Sequence, residues 1–152
     1  MPERITHSHA APGAGLARAA TPAIRWLALL ALCAAYLQGG LTKALDFPAA
    51  IAEMHHFGLA PAAPLAALVI ALELGASAMI LTGFWRWVGA LALAAFTLMA
   101  SFLANAFWNV PIPDRIMVEN AFFEHIGLAG GFVLVAWHDL RRPGRAASEQ
   151  GD

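Results

Sequence analysis

Five polar side chains stand in or beside long apolar runs: Lys43, Glu73, Asn105, Glu124 and His125. Lys43, Asn105 and His125 could each donate a hydrogen bond to a carbonyl oxygen, and Glu73 and Glu124 could exchange protons. His125 has no second histidine inside an apolar run at matching depth, so the paired axial ligands that haem usually takes are not offered. It reads as a packed histidine that hydrogen-bonds across helices. Glu53, His55 and His56 could join Glu124 and His125 around a metal, but nothing in their spacing brings the two groups together, and no metal is assigned. His7 and His9, flanking Ser8, make only a weak site. The lone Cys33 excludes an intramolecular disulfide and a Cys-x-x-Cys redox pair. It reads as a small packed residue.

The elements that carry these groups are membrane spans. The chain has 152 residues, of which 60% are hydrophobic and 12% charged. Soluble domains carry about 25% charged residues, so this chain is too apolar for water. Nine basic residues against ten acidic ones give no reason to expect nucleic acid as a partner. Leu65–Leu81 is an apolar run with Glu73 at its middle, long enough to be the heart of a transmembrane helix. A carboxylate there costs roughly 2.5–3.5 kcal/mol on insertion scales, so it is either paired with a neighbour or functional. If Glu73 belongs to an ion pair, Glu73→Gln should be harmful; if it is held neutral, the change should be tolerated.

Three further spans are expected at about 24–44, 87–107 and 120–137. The first follows Arg18 and Arg25, which also suits a signal peptide. Its apolar run exceeds the roughly 7–15 residues of such a signal, however, and Leu32 precedes Cys33 where a lipoprotein signal needs a small residue. It is read as a retained helix. Residues 46–63 read as a loop with a short helix at the membrane surface, and 108–114, with Pro111 and Pro113, as loop. The expected architecture is all-α: a four-helix transmembrane bundle over 22–140, flanked by disordered cytoplasmic tails at 1–21 and 141–152.

Orientation follows from the basic residues. With the N-terminus inside, Arg4, Arg18, Arg25, Arg86, Arg141, Arg142 and Arg145 fall on the cytoplasmic side, and only Lys43 and Arg115 fall outside. At about 1.5 Å per residue, Lys43, Asn105, Glu124 and His125 then share the outer half of the bilayer, above Glu73. Lys43 and Glu73 differ in depth by about 10 Å, so their contact is not assured. Helical spacing gives each span a small or polar face: Tyr36, Gly39, Gly40 and Lys43; Glu73, Ala76 and Ser77; Thr97, Ser101 and Asn105; Glu124, Gly127 and Gly131. Turned inward, these faces would form a polar pocket open to the outside.

The same residues resemble a known family. Gly39-Gly40-Leu41-Thr42-Lys43, Gly58-Leu59-Ala60-Pro61, Leu72-Glu73-Leu74-Gly75, the Gly83-x-x-Arg86 turn, Phe107-Trp108 and Phe123–Gly131 together are similar to DoxX-type membrane proteins, over about Arg25 to Asp139. Two positions depart from the family pattern. A histidine often stands where Asn105 is, and a basic residue followed by Asn or Asp often stands at Glu124-His125. The resemblance implies a bacterial inner-membrane four-helix bundle. It also implies a link to redox complexes, since family members include a subunit of a thiosulfate:quinone oxidoreductase and a partner of superoxide dismutase.

Two readings of function follow. In the first, the chain is a membrane component of a redox system and holds a quinone or similar apolar ligand in the outward pocket. Electrons would then come from a redox partner protein. In the second, it is a noncatalytic assembly or small-solute-binding subunit whose polar residues join helices. The lipid bilayer is its surrounding partner in both, and both admit a homo-oligomer. The topology is directly testable: a reporter fused after Asp114 should report from outside the cytoplasm and one after Arg142 from within. The opposite result at either site would overturn the orientation.

Overall fold

A computed structural model describes residues 22–141. The expected tail 1–21, with His7 and His9, and all of the tail 141–152 except Arg141 lie outside the described residues. Among those described there is no strand. The helices are α1 (Pro22–Leu45), α2 (Phe47–His56), α3 (Ala62–Thr82), α4 (Arg86–Ala104) and α5 (Ile112–Leu140), with a 3-10 turn at Phe107–Asn109 before α5. Four of them, α1, α3, α4 (with the following turn) and α5, are long and apolar enough to cross a membrane. The all-α four-span architecture is therefore as expected.

The short helix in the first connection is α2. Asp46 caps its start, its side chain accepting a hydrogen bond from Ala49 N at 3.1 Å, and Pro48 occupies the first turn, where no N–H is required. Ala50 and Met54 lie one turn apart on its buried face and pack with Ala62 and Ala66 of α3. At the far end of α3, Gly83 takes a left-handed conformation (φ 86°) and its N–H bonds Met79 O at 3.0 Å, which turns the chain tightly into α4.

The last span corrects the sequence reading. Its helix begins at Ile112, not near Asn120, and runs 29 residues. Pro111 and Pro113 suggest loop, but Pro113 sits in the first helical turn, where the missing N–H has no partner to lose. Asp114 in that same turn complements the positive end of the helix dipole.

The spans pack in the order α1, α3, α4, α5. The last pair, α4 and α5, is the most extensively packed, while α1 and α5 meet only over a short stretch. Small residues allow the close approaches. A Cβ placed on Gly89 of α4 would come within 2.7 Å of Ala76 O and 3.0 Å of Met79 Cβ on α3. The core is apolar at the middle of the bundle, with Phe132, Ile80 and Leu93 fully buried. The ring of Tyr36 meets Phe132 edge-on, with centroids 5.4 Å apart. At the α4–α5 connection, Phe102, Phe107, Trp108, Phe122 and Phe123 form a cluster of ring contacts.

The α3–α4 contact gives a quantitative expectation. Gly89→Ala should destabilise the protein by about 1–3 kcal/mol, because the methyl group meets rigid backbone. Gly130→Ala, whose added Cβ meets nothing within 4 Å, should melt like the wild type. Thermal melts in detergent decide this, and equal melting temperatures for the two variants would contradict the packing.

Candidate functional site

The carboxylate at the middle of α3 is buried, with 5% of Glu73 exposed, and it has a partner. Lys43 Nζ on α1 donates to Glu73 Oε1 at 3.2 Å and approaches Oε2 at 3.3 Å. The depth difference estimated from sequence is bridged by the flexible lysine stem, which lets its ammonium reach away from the level of its own backbone. Glu73, Ala76 and Ser77 share the buried face of α3, as their spacing implies.

The two glycines preceding Lys43 make room for the pair. A Cβ on Gly39 would lie 3.4 Å from Lys43 Nζ and 3.7 Å from both Glu73 oxygens. On Gly40 it would fall within 2.9 Å of Leu74 Cγ and 3.2 Å of Glu73 Cβ. Without side chains at these positions, α1 lies against α3 closely enough for the charges to meet. Inside a membrane this matters twice: it removes the cost of a lone charge, and it ties two helices together.

A second polar link lies deeper in the bundle. Tyr36 of α1 hydrogen-bonds Thr97 of α4 through their hydroxyls. Thr97 Oγ1 also lies 2.5 Å from Leu93 O of its own helix, a distance at which its hydroxyl can donate to that carbonyl. Ser77 and Ser101 are fully buried and their hydroxyls make no well-formed hydrogen bond, although Ser77 interacts weakly with the Cys33 thiol. The polar faces anticipated for α1, α3 and α4 thus do turn inward at Tyr36, Glu73, Ser77, Thr97 and Ser101.

The face on α5 does not. Glu124 and Gly127 are exposed, and Ala129, Phe132 and Ala136 point inward instead. Two of the three residues of the expected face thus lie on the open side of the helix, because Glu124-x2-Gly127 and the buried Phe122–Ala129–Phe132–Ala136 row occupy different sectors, and only Gly131 meets another span, at Leu32 of α1. His125 is half-buried, and its Nδ1 lies 2.6 Å from Ala121 O, a hydrogen bond within its own helix rather than across helices. Asn105 ends α4 as its C-cap, with its N–H bonded to Ser101 O at 2.9 Å. Of the four residues expected in the outer half, Glu124 is thus exposed, Asn105 and His125 are half-buried, and Lys43 turns to Glu73. Among the described residues, no three His, Cys, Asp or Glu side chains gather closely enough to share a metal ion.

A cavity exists elsewhere. Between α2, α3 and α4 lies an apolar hollow of about 520 Å³, walled by Met54, Leu65, Val69, Phe96, Met99 and Phe102. It adjoins a smaller one of about 120 Å³ that shares Met54, Val69, Phe96 and Met99 and reaches Lys43 and Glu53. The sequence shows the lysine but not this wall. Part of it comes from α2, a segment read as connection, and no periodicity within α3 or α4 marks which lipid-side residues α2 will roof. A further ion pair also escapes the sequence reading: Arg86 Nη1 meets Asp139 Oδ1 at 3.4 Å, and Arg86 Nε donates to Ile80 O at 2.8 Å, joining the adjacent ends of α3, α4 and α5. The signal available was that both residues fall at the same end of neighbouring spans.

Four apolar spans around a buried ion pair define a multi-pass membrane protein. The DoxX family model matches residues 25–106, more than half the chain, and the protein belongs to the DoxX family. That match takes in Gly39, Gly40, Lys43, Glu73 and Arg86 and stops just past Asn105. It leaves out α5, where Glu124-His125 departs from the family pattern. No curated protein and no solved structure matches the chain.

Proposed function

We propose that this protein is a membrane component of a redox system, and that it holds a quinone or a similar ring-bearing apolar ligand in the cavity between α2, α3 and α4. The observation that carries this reading is the placement of Lys43, which bonds Glu73 and, with Glu53, lines the polar end of a cavity whose other walls are apolar. Ligand sites are commonly hollows of about 300–1,000 Å³ with apolar walls and a few placed polar groups, and the larger cavity, at about 520 Å³, falls within that range.

The ammonium has three N–H groups, and the Glu73 carboxylate engages at most two of them. A third can donate to a ligand carbonyl while the ion pair stays intact. Phe96, Met99 and Phe102 give the ring a polarizable wall. Glu53, exposed on α2 and lining the smaller cavity beside Lys43, offers a proton path to water. A bound quinone would carry two electrons and two protons between proteins, the electrons coming from a redox partner. Asn105, Glu124 and His125 lie outside the lining and have no ligand contact in this reading. We place the protein in the bacterial cytoplasmic membrane with the Arg86 end inside, on the strength of the basic residues.

The competing reading, a noncatalytic assembly or solute-binding subunit, draws on one observation. The Lys43–Glu73 and Tyr36–Thr97 bonds satisfy one another across helices without any ligand. To separate the two, the protein is purified from native membranes and its bound small molecules are extracted and identified by mass spectrometry. The ligand reading expects a quinone or related ring lipid in the wild type. It expects that ligand to be lost in Met99→Trp, which fills the cavity from an exposed position, with the melting temperature unchanged. Absence of any such ligand from the wild type, or its full retention in Met99→Trp, would leave the assembly reading standing.

A further inference from the structure

Glu124 is a carboxyl group that the bundle leaves unanswered. Trp137, half exposed as interfacial anchors are, marks one face of the membrane. Glu124 lies about 20 Å from it along α5, and so about 10 Å beneath the other face of a hydrocarbon core about 30 Å thick. It is nevertheless exposed, and among the described residues it has no hydrogen-bond or ion-pair partner. A carboxyl group facing lipid at that depth is costly, and what could cover it is read from the helix edges around it.

Helices α1 and α5 end the packing order, so each keeps a face that no other span covers. They touch where Leu32 meets Gly131, a Cβ on which would lie 3.3 Å from Leu32 Cδ1, and that contact sets their relative depth. Counting from it towards the Lys43 end, Ala35 and Gly127 lie about 5 and 6 Å away, Gln38 and Glu124 about 9 and 11 Å, and Thr42 and Asn120 about 15 and 17 Å. All six are exposed, and on each helix the three share one face. The exposed face of α4 instead carries Leu91, Leu98, Met99 and Phe102, bulky side chains suited to lipid. A Cβ on Gly127 would meet nothing within 4 Å, which leaves room for another helix to approach closely.

We infer that two copies of this chain form a two-fold dimer in which α1 of each packs on α5 of the other, with Gln38 hydrogen-bonded to Glu124 across both seams. Rotation about an axis normal to the membrane leaves depth unchanged, so levels matched within one chain are matched between copies. Gln38 Nε2 donates to Thr42 Oγ1 at 3.1 Å through one of its two N–H groups. The second N–H answers an ionised Glu124, and with the amide carbonyl it answers a protonated one. Packing α5 on α5 would set one carboxyl group against the other, and packing α1 on α1 would leave both in lipid. Small residues sit opposite each other one turn deeper, Ala35 against Gly127, as close helix contacts in membranes require. The dimer rests only on how the spans pack, so it stands or falls independently of the quinone reading.

The test places full-length protein, labelled with a donor or an acceptor fluorophore, in vesicles of phosphatidylethanolamine and phosphatidylglycerol. Energy transfer is followed as the protein is diluted into lipid. The wild type should associate as a dimer. Glu124→Leu and Gln38→Leu should each weaken association by about tenfold or more, on the ordinary strength of the two interhelical hydrogen bonds lost per dimer. Ala71→Leu, on the exposed face of α3, should leave association unchanged. The arrangement is read by oxidising mixtures of copies that carry one added cysteine each, the native Cys33 being buried. Copies with Ala35→Cys should link to copies with Gly127→Cys in preference to either linking with itself. If a leucine variant fails to insert, this pattern of links decides alone. A wild type that stays monomeric in lipid would overturn the inference. So would unchanged association in either folded leucine variant, equal weakening by Ala71→Leu, or Gly127→Cys copies linking chiefly to one another.

Discussion

A carboxylate in the middle of an apolar span cannot be left without a partner, and the arrangement of α1 against α3 answers that constraint. Glu73 is buried and Lys43 reaches it from the neighbouring helix at 3.2 Å. The two charges can meet because Gly39 and Gly40 bring the backbones together there; a methyl group on Gly40 would already collide with Leu74. Three features that look separate in the sequence, a glycine pair, a lysine three residues on and a distant glutamate, are thus parts of one interaction. Such a pair is not a large net source of stability, because taking both charges out of water offsets their attraction. Its value lies in what it forbids: α1 and α3 cannot slide or rotate without exposing a lone charge to hydrocarbon.

The rest of the interior follows from that fixed contact. Tyr36, about two turns before Lys43 on the same face, is directed at α4, where Thr97 accepts or donates its hydrogen bond. Ring contacts from Tyr36 to Phe96 and Phe132 then engage α4 and α5. With α3 in the centre of the packing order, α2 folds back over its first turns through Ala50 and Met54, and so roofs the apolar hollow that ends at Lys43. The same lysine therefore holds the bundle and lines the smaller cavity. A ligand there would be sensed by the interaction on which the helix packing depends.

Much of this was legible in the residues. Length and apolarity reveal four spans, and the spacing of Glu73, Ala76 and Ser77, or of Thr97 and Ser101, correctly turns those faces inward. The residues suggest the Lys43–Glu73 contact without assuring it, because depth counted at a fixed rise per residue ignores both helix tilt and the reach of a lysine. The face of α5 is less legible, since of its expected residues only Gly131 packs on another span. Glu124, Gly127 and Gly131 satisfy the spacing of a packing face, but so does the row containing Ala129, Phe132 and Ala136, and only the neighbouring helices decide which row is buried. The start of α5 was missed because proline marks a helix's first turn as readily as its absence. The cavity was invisible for a third reason: it is made by three segments whose mutual placement no single periodicity encodes.

The central claim, that one buried ion pair fixes α1 on α3, is tested most directly by a double-mutant cycle on Lys43→Met and Glu73→Gln, with unfolding followed in the same detergent for all four proteins. Each single change should destabilise by about 3–5 kcal/mol, since removing one partner weakens or strands the other, and the double variant should recover much of that loss. Losses that simply add, with the double variant the least stable of the four, would contradict the account.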